Sequence, residues 1–432
     1  MKQVSIRSNF IWTFCGTVYY SAALWAILAI FAKFGDAVIV GQFSLGLAIC
    51  APIILFTNMQ LRLVQATDAR SDYQFGHYVA VRISSSTLAA LAIIGTALVI
   101  PFLSQTRYVI LLVGLAKLIE SMGDVLYGLM QKNERMDLVA RSMLIKGTNS
   151  LILCGGVFIL TRDIMLSLLG LSVAWILTII IYDIRMAVTL IGRVSVAKSI
   201  AGFGRAVAET LRPIWSRDHI KVLAITAFPL AIVGVIDSLN VNVPRYFIQY
   251  HYGESGVGYF SAIAYAMVVG STVINAFGHT VMPRLAGYFN TSLTAFRNLL
   301  MKTVLLGLGL ALAGIAVAAA FGEEILRLLY TAEYAGYHTV LVWMMVAAGI
   351  WYLAGAVGFG IHASRYFKTQ TLIYIIMILT TTIASLALIP GHGILGATWA
   401  LCLGMTARLL GGIIGILYIY EKKRILNAGD RA

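Results

Sequence analysis

The chain has 432 residues, of which 60% are hydrophobic and only 12% charged, and its mean hydropathy is +0.87. Soluble domains sit nearer half apolar and about a quarter charged, so this composition excludes an ordinary water-soluble fold. It describes a polytopic membrane protein.

The first apolar run, 10–32, has no small-residue cleavage site and reads as a span, not a cleavable signal peptide. Further spans are predicted at 37–60, 83–103, 108–130, 142–160, 164–184, 220–242, 257–280, 301–321, 339–361, 371–389 and 394–420. Each comes near the ~20 residues needed to cross a hydrocarbon core. Charge tests the count of twelve. All but eight of the 32 Lys and Arg residues fall at the termini or in even-numbered loops. Five (Lys33, Arg107, Arg162, Arg245, Arg327) lie in odd-numbered loops and three (Lys117, Lys146, Arg408) within spans. The positive-inside rule therefore puts both termini in the cytoplasm. The net charge of +14 mostly records this topology and implies no nucleic-acid partner.

Along the chain, the first notable polar residue is Arg62 in "LRLVQATD", just after the second span. The fourth span, "GLAKLIESMGDVLYGLM", sets Lys117, Glu120 and Asp124 at i, i+3, i+7, on one face of a helix. A charge at the bilayer centre costs ~2.5–3.5 kcal/mol, so a lipid-facing stripe of three would cost roughly 8–10 kcal/mol. The stripe must face protein or water. The fifth span adds Lys146 and Asn149.

The longest loop, 185–219, repeats Val196, Ile200, Phe203, Val207, Leu211 and Ile214 at helical spacing, with Lys198, Arg205 and Arg212 every seventh residue. Such a basic amphipathic helix suits a cytoplasmic surface of anionic lipids. It divides the chain into an N-terminal lobe (1–192), a linker helix (193–219) and a C-terminal lobe (220–432), with six spans in each lobe. Faint internal repeats support the duplication. "GQFSLGLA" (41–48) echoes "GYFSAIAY" (258–265), and "GDVLYGLM" (123–130) echoes "GAVGFGIH" (355–362). Parallel repeats of this kind hold a substrate between the halves.

The seventh span ends "GVIDSLNVNVPRY", supplying Asp237, Asn240, Asn242 and Arg245; Asn275 and His279 follow in the eighth. His362 ends the tenth, and Arg408 lies inside the twelfth in "LCLGMTARLLGGIIG" with no acid nearby in sequence. Arg284 and Arg365, with Arg62, fall at the cytoplasmic ends of spans. The expected fold is all-α, with twelve transmembrane helices in two pseudo-symmetric lobes around a hydrated central cleft. Cys15, Cys50, Cys154 and Cys402 lie in apolar segments, with neither metal nor disulfide spacing. No phosphate-binding loop and no zinc spacing occurs, so neither an enzyme nor a cofactor is expected.

Several stretches together resemble the polysaccharide transporter family, the Wzx-type O-antigen flippases of the multidrug/oligosaccharidyl-lipid/polysaccharide superfamily. They are "LRLVQATDAR", "SMGDVLYGLMQKNERMDLVARSMLIKG", "NVPRYFIQYHYGESGVGYFSAIAYAMVVGSTVINAF" and "GEEILRLLYTAEYAGYHTVL". The resemblance implies a MATE-like fold in a bacterial inner membrane, and alternating-access flipping of a polyprenyl-diphosphate-linked oligosaccharide to the outer leaflet. It also admits a glycan polymerase complex as partner. A diphosphate is anionic, and arginine forks suit phosphate oxygens. The expected assignment puts Arg62, Arg284 and Arg365 at the cytoplasmic mouth. Lys117, Lys146, Arg245 and Arg408, with Asn240 and Asn242, hold the head group in the cleft. Glu120, Asp124 and Asp237 are the candidate carboxylates for ion coupling. Two rivals remain at this point. A cation-coupled drug exporter predicts an acidic, aromatic cleft, and the first span here carries no carboxylate. A non-transporting scaffold predicts polar residues on lipid-facing surfaces.

Overall fold

The computed structural model describes residues 6–68, 73–191, 200–364 and 366–429. They form helices in sequence, and no strand occurs among them. The chain divides into two compact units, Met1–Ser238 and Leu239–Ala432.

In the first unit the order is α1 (Ile6–Phe34), α2 (Ala37–Asn58), α3 (Leu61–Thr67), α4 (Phe75–Val99), α5 (Ser104–Lys132) and α6 (Met136–Ser150). It continues through α7 (Gly156–Thr161), α8 (Ile164–Thr178), α9 (Ile184–Leu190), α10 (Ile200–Thr210) and the start of α11 (Arg217–Ala264). Turns between these helices are set by capping acids. Asp36 accepts from the Ile39 amide at 2.8 Å, and Asp163 accepts from Met165 and Leu166 at 2.7 and 3.1 Å. Each satisfies donors that the first turn of a helix leaves open. Single π turns, Leu151–Gly155 and Ile179–Asp183, join α6 to α7 and α8 to α9, so each pair reads as one span.

α5 is the centre of this unit, packed by α2, α3, α4 and α8. α3 lies close on it because Gly128 has no side chain: a Cβ there would sit 2.2 Å from Gln65 Oε1. Leu61, Tyr78, Val81, Val125 and Leu223 form a shared apolar core that ties α3, α4, α5 and the start of α11 together. The amphipathic linker is observed as α10. Leu211 packs with Leu126, Leu129 and Ala187, and the Ile214 amide donates to the Gly76 carbonyl at 3.0 Å. Val196 and Lys198 lie outside the described residues.

The second unit holds the rest of α11, then α12 (Ala266–Thr291), α13 (Leu293–Leu329), α14 (Ala332–Ala335), α15 (His338–Ala363) and α16 (Phe367–Gly429). α11 and α16 each break at a glycine in a conformation closed to other residues: Gly253 at φ +67° and Gly393 at φ +58°. The two breaks meet, since the Tyr252 hydroxyl donates to the carbonyls of Ile389 and Pro390 at 3.2 and 3.1 Å. α15 packs on α12, α13 and α16. The motif "LLYTAEYAGY" becomes an aromatic plug in which Tyr330 and Tyr334 are buried and Tyr259 donates to Glu333.

Among the described residues nine helices are long and apolar enough to cross a membrane. α5 is not one of them, because its apolar run is interrupted by Lys117, Glu120 and Asp124. The protein is an integral membrane protein with an all-helical fold.

Candidate functional site

A cavity of about 600 Å³ opens within the first unit, lined by polar residues of α2, α3, α5 and α6 and by Tyr20 of α1. Its floor is the charged stripe of α5. Glu120 stands between two lysines: Lys117 Nζ lies 2.8 Å from Oε2 and Lys146 Nζ 2.8 Å from Oε1. Tyr20 adds a 2.6 Å hydrogen bond to Oε1. Both ammonium groups also sit over the Trp175 ring, at 5.5 and 4.4 Å from its centroid. Trp175 is itself fixed by a 2.9 Å bond from its Nε1 to Ser150 Oγ.

One turn further along α5, Asp124 is shared in the same way. Its Oδ1 lies 3.6 Å from Arg62 Nη1 and its Oδ2 3.4 Å from Arg82 Nη2. Arg62 also donates from Nε to Gln131 Oε1 at 2.9 Å and lies over the Tyr127 ring. The i, i+3, i+7 stripe therefore does not close on itself. Lys117 takes Glu120, whereas Asp124 pairs with cations from α3 and α4.

Cations outnumber carboxylates here. Arg62, Lys117 and Lys146 line the cavity against Glu120 and Asp124, and Arg82 stands behind the wall as a fourth. Lys117, Glu120 and Arg62 keep about a quarter of their side-chain surface exposed, so an incoming anion can reach them. Asn149 is spent on the interhelical bond to Thr178, at 3.2 Å.

The second unit presents its cations differently. Arg245 donates from Nε to Ser261 Oγ at 2.9 Å, and from Nη1 to the Val241 carbonyl at 2.6 Å and Asn242 Oδ1 at 3.0 Å. All of these acceptors are neutral. Arg408 donates to the Tyr374 hydroxyl at 2.8 Å and lies over the same ring at 4.6 Å. Asn240 is buried and accepts from Thr381 at 2.7 Å. His362 is exposed and bonds with the Gly358 carbonyl and Gln370. Asp237, Asn275 and Arg284 are exposed on their helices. Arg365 and the side chain of His279 lie outside the described residues.

The residue missed by sequence reading is Arg82. A span starting at 83 places it with the loop cations; the structure begins α4 at Phe75 and buries Arg82 to 1% exposure. The available signal was the helical spacing of polar and small residues through "FGHYVAVRISSS". Asp183, also buried, stands behind the cavity wall near Gly123 and does not line the cavity.

Apolar helices around an ionic, net-positive cavity define an integral membrane protein with a polar interior site. The profile of the family described as "Polysaccharide biosynthesis protein" matches residues 6–289, and the chain belongs to that family. The capsular polysaccharide biosynthesis protein CapF of Staphylococcus aureus is 27% identical over 423 residues, spanning 96% of this chain and 99% of that protein. Solved structures share the fold at low identity. The lipid II flippase MurJ, in an inward closed conformation, aligns with a TM-score of 0.68 and 13% identity, covering 96% of this chain and 91% of that one. A mutant of the Vibrio cholerae MATE transporter VcmN aligns with a TM-score of 0.63 and 14% identity, covering 96% and 95%.

Proposed function

We propose that this chain is a flippase that carries a polyprenyl-diphosphate-linked oligosaccharide from the cytoplasmic to the outer leaflet of a bacterial inner membrane, for a cell-surface polysaccharide. The observation that carries this reading is the cation excess of the cavity: Arg62, Lys117 and Lys146 facing only two carboxylates, with Arg82 behind them. Each phosphoryl group of a lipid–sugar diphosphate keeps an ionised oxygen, and charge-assisted hydrogen bonds to such oxygens are the strong class. Arg245 and Arg408 are further cations within the second unit. The family match and the capsular relative support a polysaccharide precursor as cargo. The likeness to a lipid II flippase supports a fold able to move a lipid-linked sugar.

Twelve crossings follow if α5 counts as one despite its charges, and if the stretches 234–278 and 368–425 cross twice each, turning at Gly253 and Gly393. Both termini then lie in the cytoplasm, with Arg284 and α10 at the cytoplasmic surface, close to anionic lipids. Transport would proceed by alternating access, with no catalytic step.

Energy coupling has a physical route in the shared carboxylates. A diphosphate that draws Lys117 and Lys146 toward itself leaves Glu120 without its counter-charges, in position to take up a proton or sodium ion. Asp124 stands in the same relation to Arg62. Asp237, exposed on α11, is the weaker candidate.

The test is to delete the gene and identify by mass spectrometry the lipid-linked oligosaccharide that accumulates, then complement with Lys117→Ala. Accumulation of the precursor in both strains supports the reading. A deletion that leaves surface glycan and lipid-linked pools unchanged overturns it.

A further inference from the structure

α3 leaves α2 at an abrupt break. Met59 and Gln60, neither of them glycine, both adopt the left-handed conformation, with φ +49° and +50°. One such residue costs roughly 1–2 kcal/mol, and two in succession persist only where the surroundings over-determine them. Here the surroundings are a polar triangle in which Arg82 and Ser121 are buried and Asn58 is half-buried at the edge of the cavity. Asn58, the last residue of α2, accepts through Oδ1 from Arg82 Nη1 and from Ser121 Oγ, the latter at 2.5 Å. Arg82 Nη1 also donates to Ser121 Oγ at 3.0 Å. The other arm of Arg82 holds Asp124, whose second oxygen faces Arg62. At the far end of α3, Asp68 accepts from Lys132 at 3.0 Å and from Tyr78 at 3.0 Å.

The helix that carries Arg62 is thus pinned at both ends, and its strained entry is pinned by Arg82. At 1% exposure Arg82 is itself too deep to touch a cargo. A guanidinium presents five donors in a fixed fork, so one side chain can reach Asn58, Ser121 and Asp124 at once; an ammonium cannot hold that plane.

We propose that Arg82 and Asn58 are positioning residues: they lock the break between α2 and α3 and so set Arg62 where it meets the phosphate oxygens of a lipid-linked diphosphate. This rests on the cationic-cavity reading above and adds to it the device that aims one of its cations.

The test titrates the detergent-purified full chain with geranyl diphosphate, reading the ligand-dependent rise in melting temperature. Wild type should be stabilised. Arg62→Ala should raise the half-saturating concentration about tenfold, the loss of one charge-assisted phosphate contact. Arg82→Lys should raise it about fivefold, and Arg62→Ala/Arg82→Lys should match Arg62→Ala within about twofold, because a residue acting through Arg62 then has nothing left to aim. Asn58→Ala should behave like Arg82→Lys, both alone and combined with Arg62→Ala, where a direct cargo contact would instead add to the loss, and Asn58→Asp, which keeps an acceptor for Arg82, should recover most of the affinity.

Full additivity of the Arg62 and Arg82 changes overturns the positioning role while the cavity reading stands. So does wild-type affinity in both Arg82→Lys and Asn58→Ala. If Arg82→Lys does not fold, the Asn58 pair decides: an Asn58→Asp protein as weak as Asn58→Ala overturns the proposal. Absence of any stabilisation of wild type by geranyl diphosphate overturns the cavity reading and this proposal with it.

Discussion

The two units solve the same problem, a cation inside a membrane protein, by different means. In the first, each cavity cation leans on a carboxylate that it shares with another cation: Lys117 and Lys146 on Glu120, Arg62 and Arg82 on Asp124. In the second, Arg245 is held by a serine hydroxyl, a backbone carbonyl and an asparagine, and Arg408 donates to and stacks on a tyrosine. Sharing an acid lowers the cost of burial and leaves a partner that a diphosphate can displace. The neutral acceptors of Arg245 take its donors without offsetting its charge. The first arrangement suits an exchange of partners during a cycle, the second a fixed positive potential.

Five changes would break or sharpen that contrast, taken from the largest expected effect down. Asp124→Ala leaves the fully buried guanidinium of Arg82 without its counter-charge and should destabilise the protein by about 3 kcal/mol, the lower range for breaking a buried pair; thermal melts in detergent measure it. A melting temperature equal to wild type would mean that Asn58 and Ser121 alone hold Arg82. Next, Lys117→Ala and Arg408→Ala should each cut surface glycan at least about tenfold, roughly 1.4 kcal/mol in rate, with protein levels unchanged by immunoblot. Normal glycan from Lys117→Ala would remove the cationic cavity as the working site, and normal glycan from Arg408→Ala would remove a role for the second unit's cation.

Thr381→Val strands the buried Asn240 carbonyl and should cost about 1–2 kcal/mol of stability with little loss of glycan once expression is matched. Glycan lost in proportion to no such destabilisation would return Asn240 to the cargo site. Last, Asn242→Ala removes one of three acceptors of Arg245 and should cost about 1 kcal/mol. A drop comparable to that of Asp124→Ala would show that neutral acceptors matter as much as shared acids.

Much of the first-unit site was legible in advance. Lys117, Glu120 and Asp124 declared themselves because three charges in an apolar helix cannot face lipid, and Lys146 because it interrupts the next apolar run. Their pairing was not legible. Helical spacing places Glu120 within reach of Lys117, but it is silent on Lys146 from the next helix and on the arginines that claim Asp124. Arg82 escaped because a cation at the start of an apolar run looks like an interfacial anchor until the helix is seen to begin seven residues earlier. Asn240 and Asn242 looked alike in "DSLNVNVPR", and only packing separates the one spent on Thr381 from the one that holds Arg245.

Composition and the periodic placement of charge were enough to establish a helical membrane protein, its apolar spans and the presence of an interior charged face, because the cost of exposing ions to hydrocarbon acts on each helix separately. Which cation meets which carboxylate, how α3 is turned after Asn58 to bring Arg62 to the cavity, and that Arg245 is held by neutral acceptors were decided by tertiary structure. Those choices depend on side chains far apart in the chain meeting at a few ångströms, and no local pattern encodes such distances.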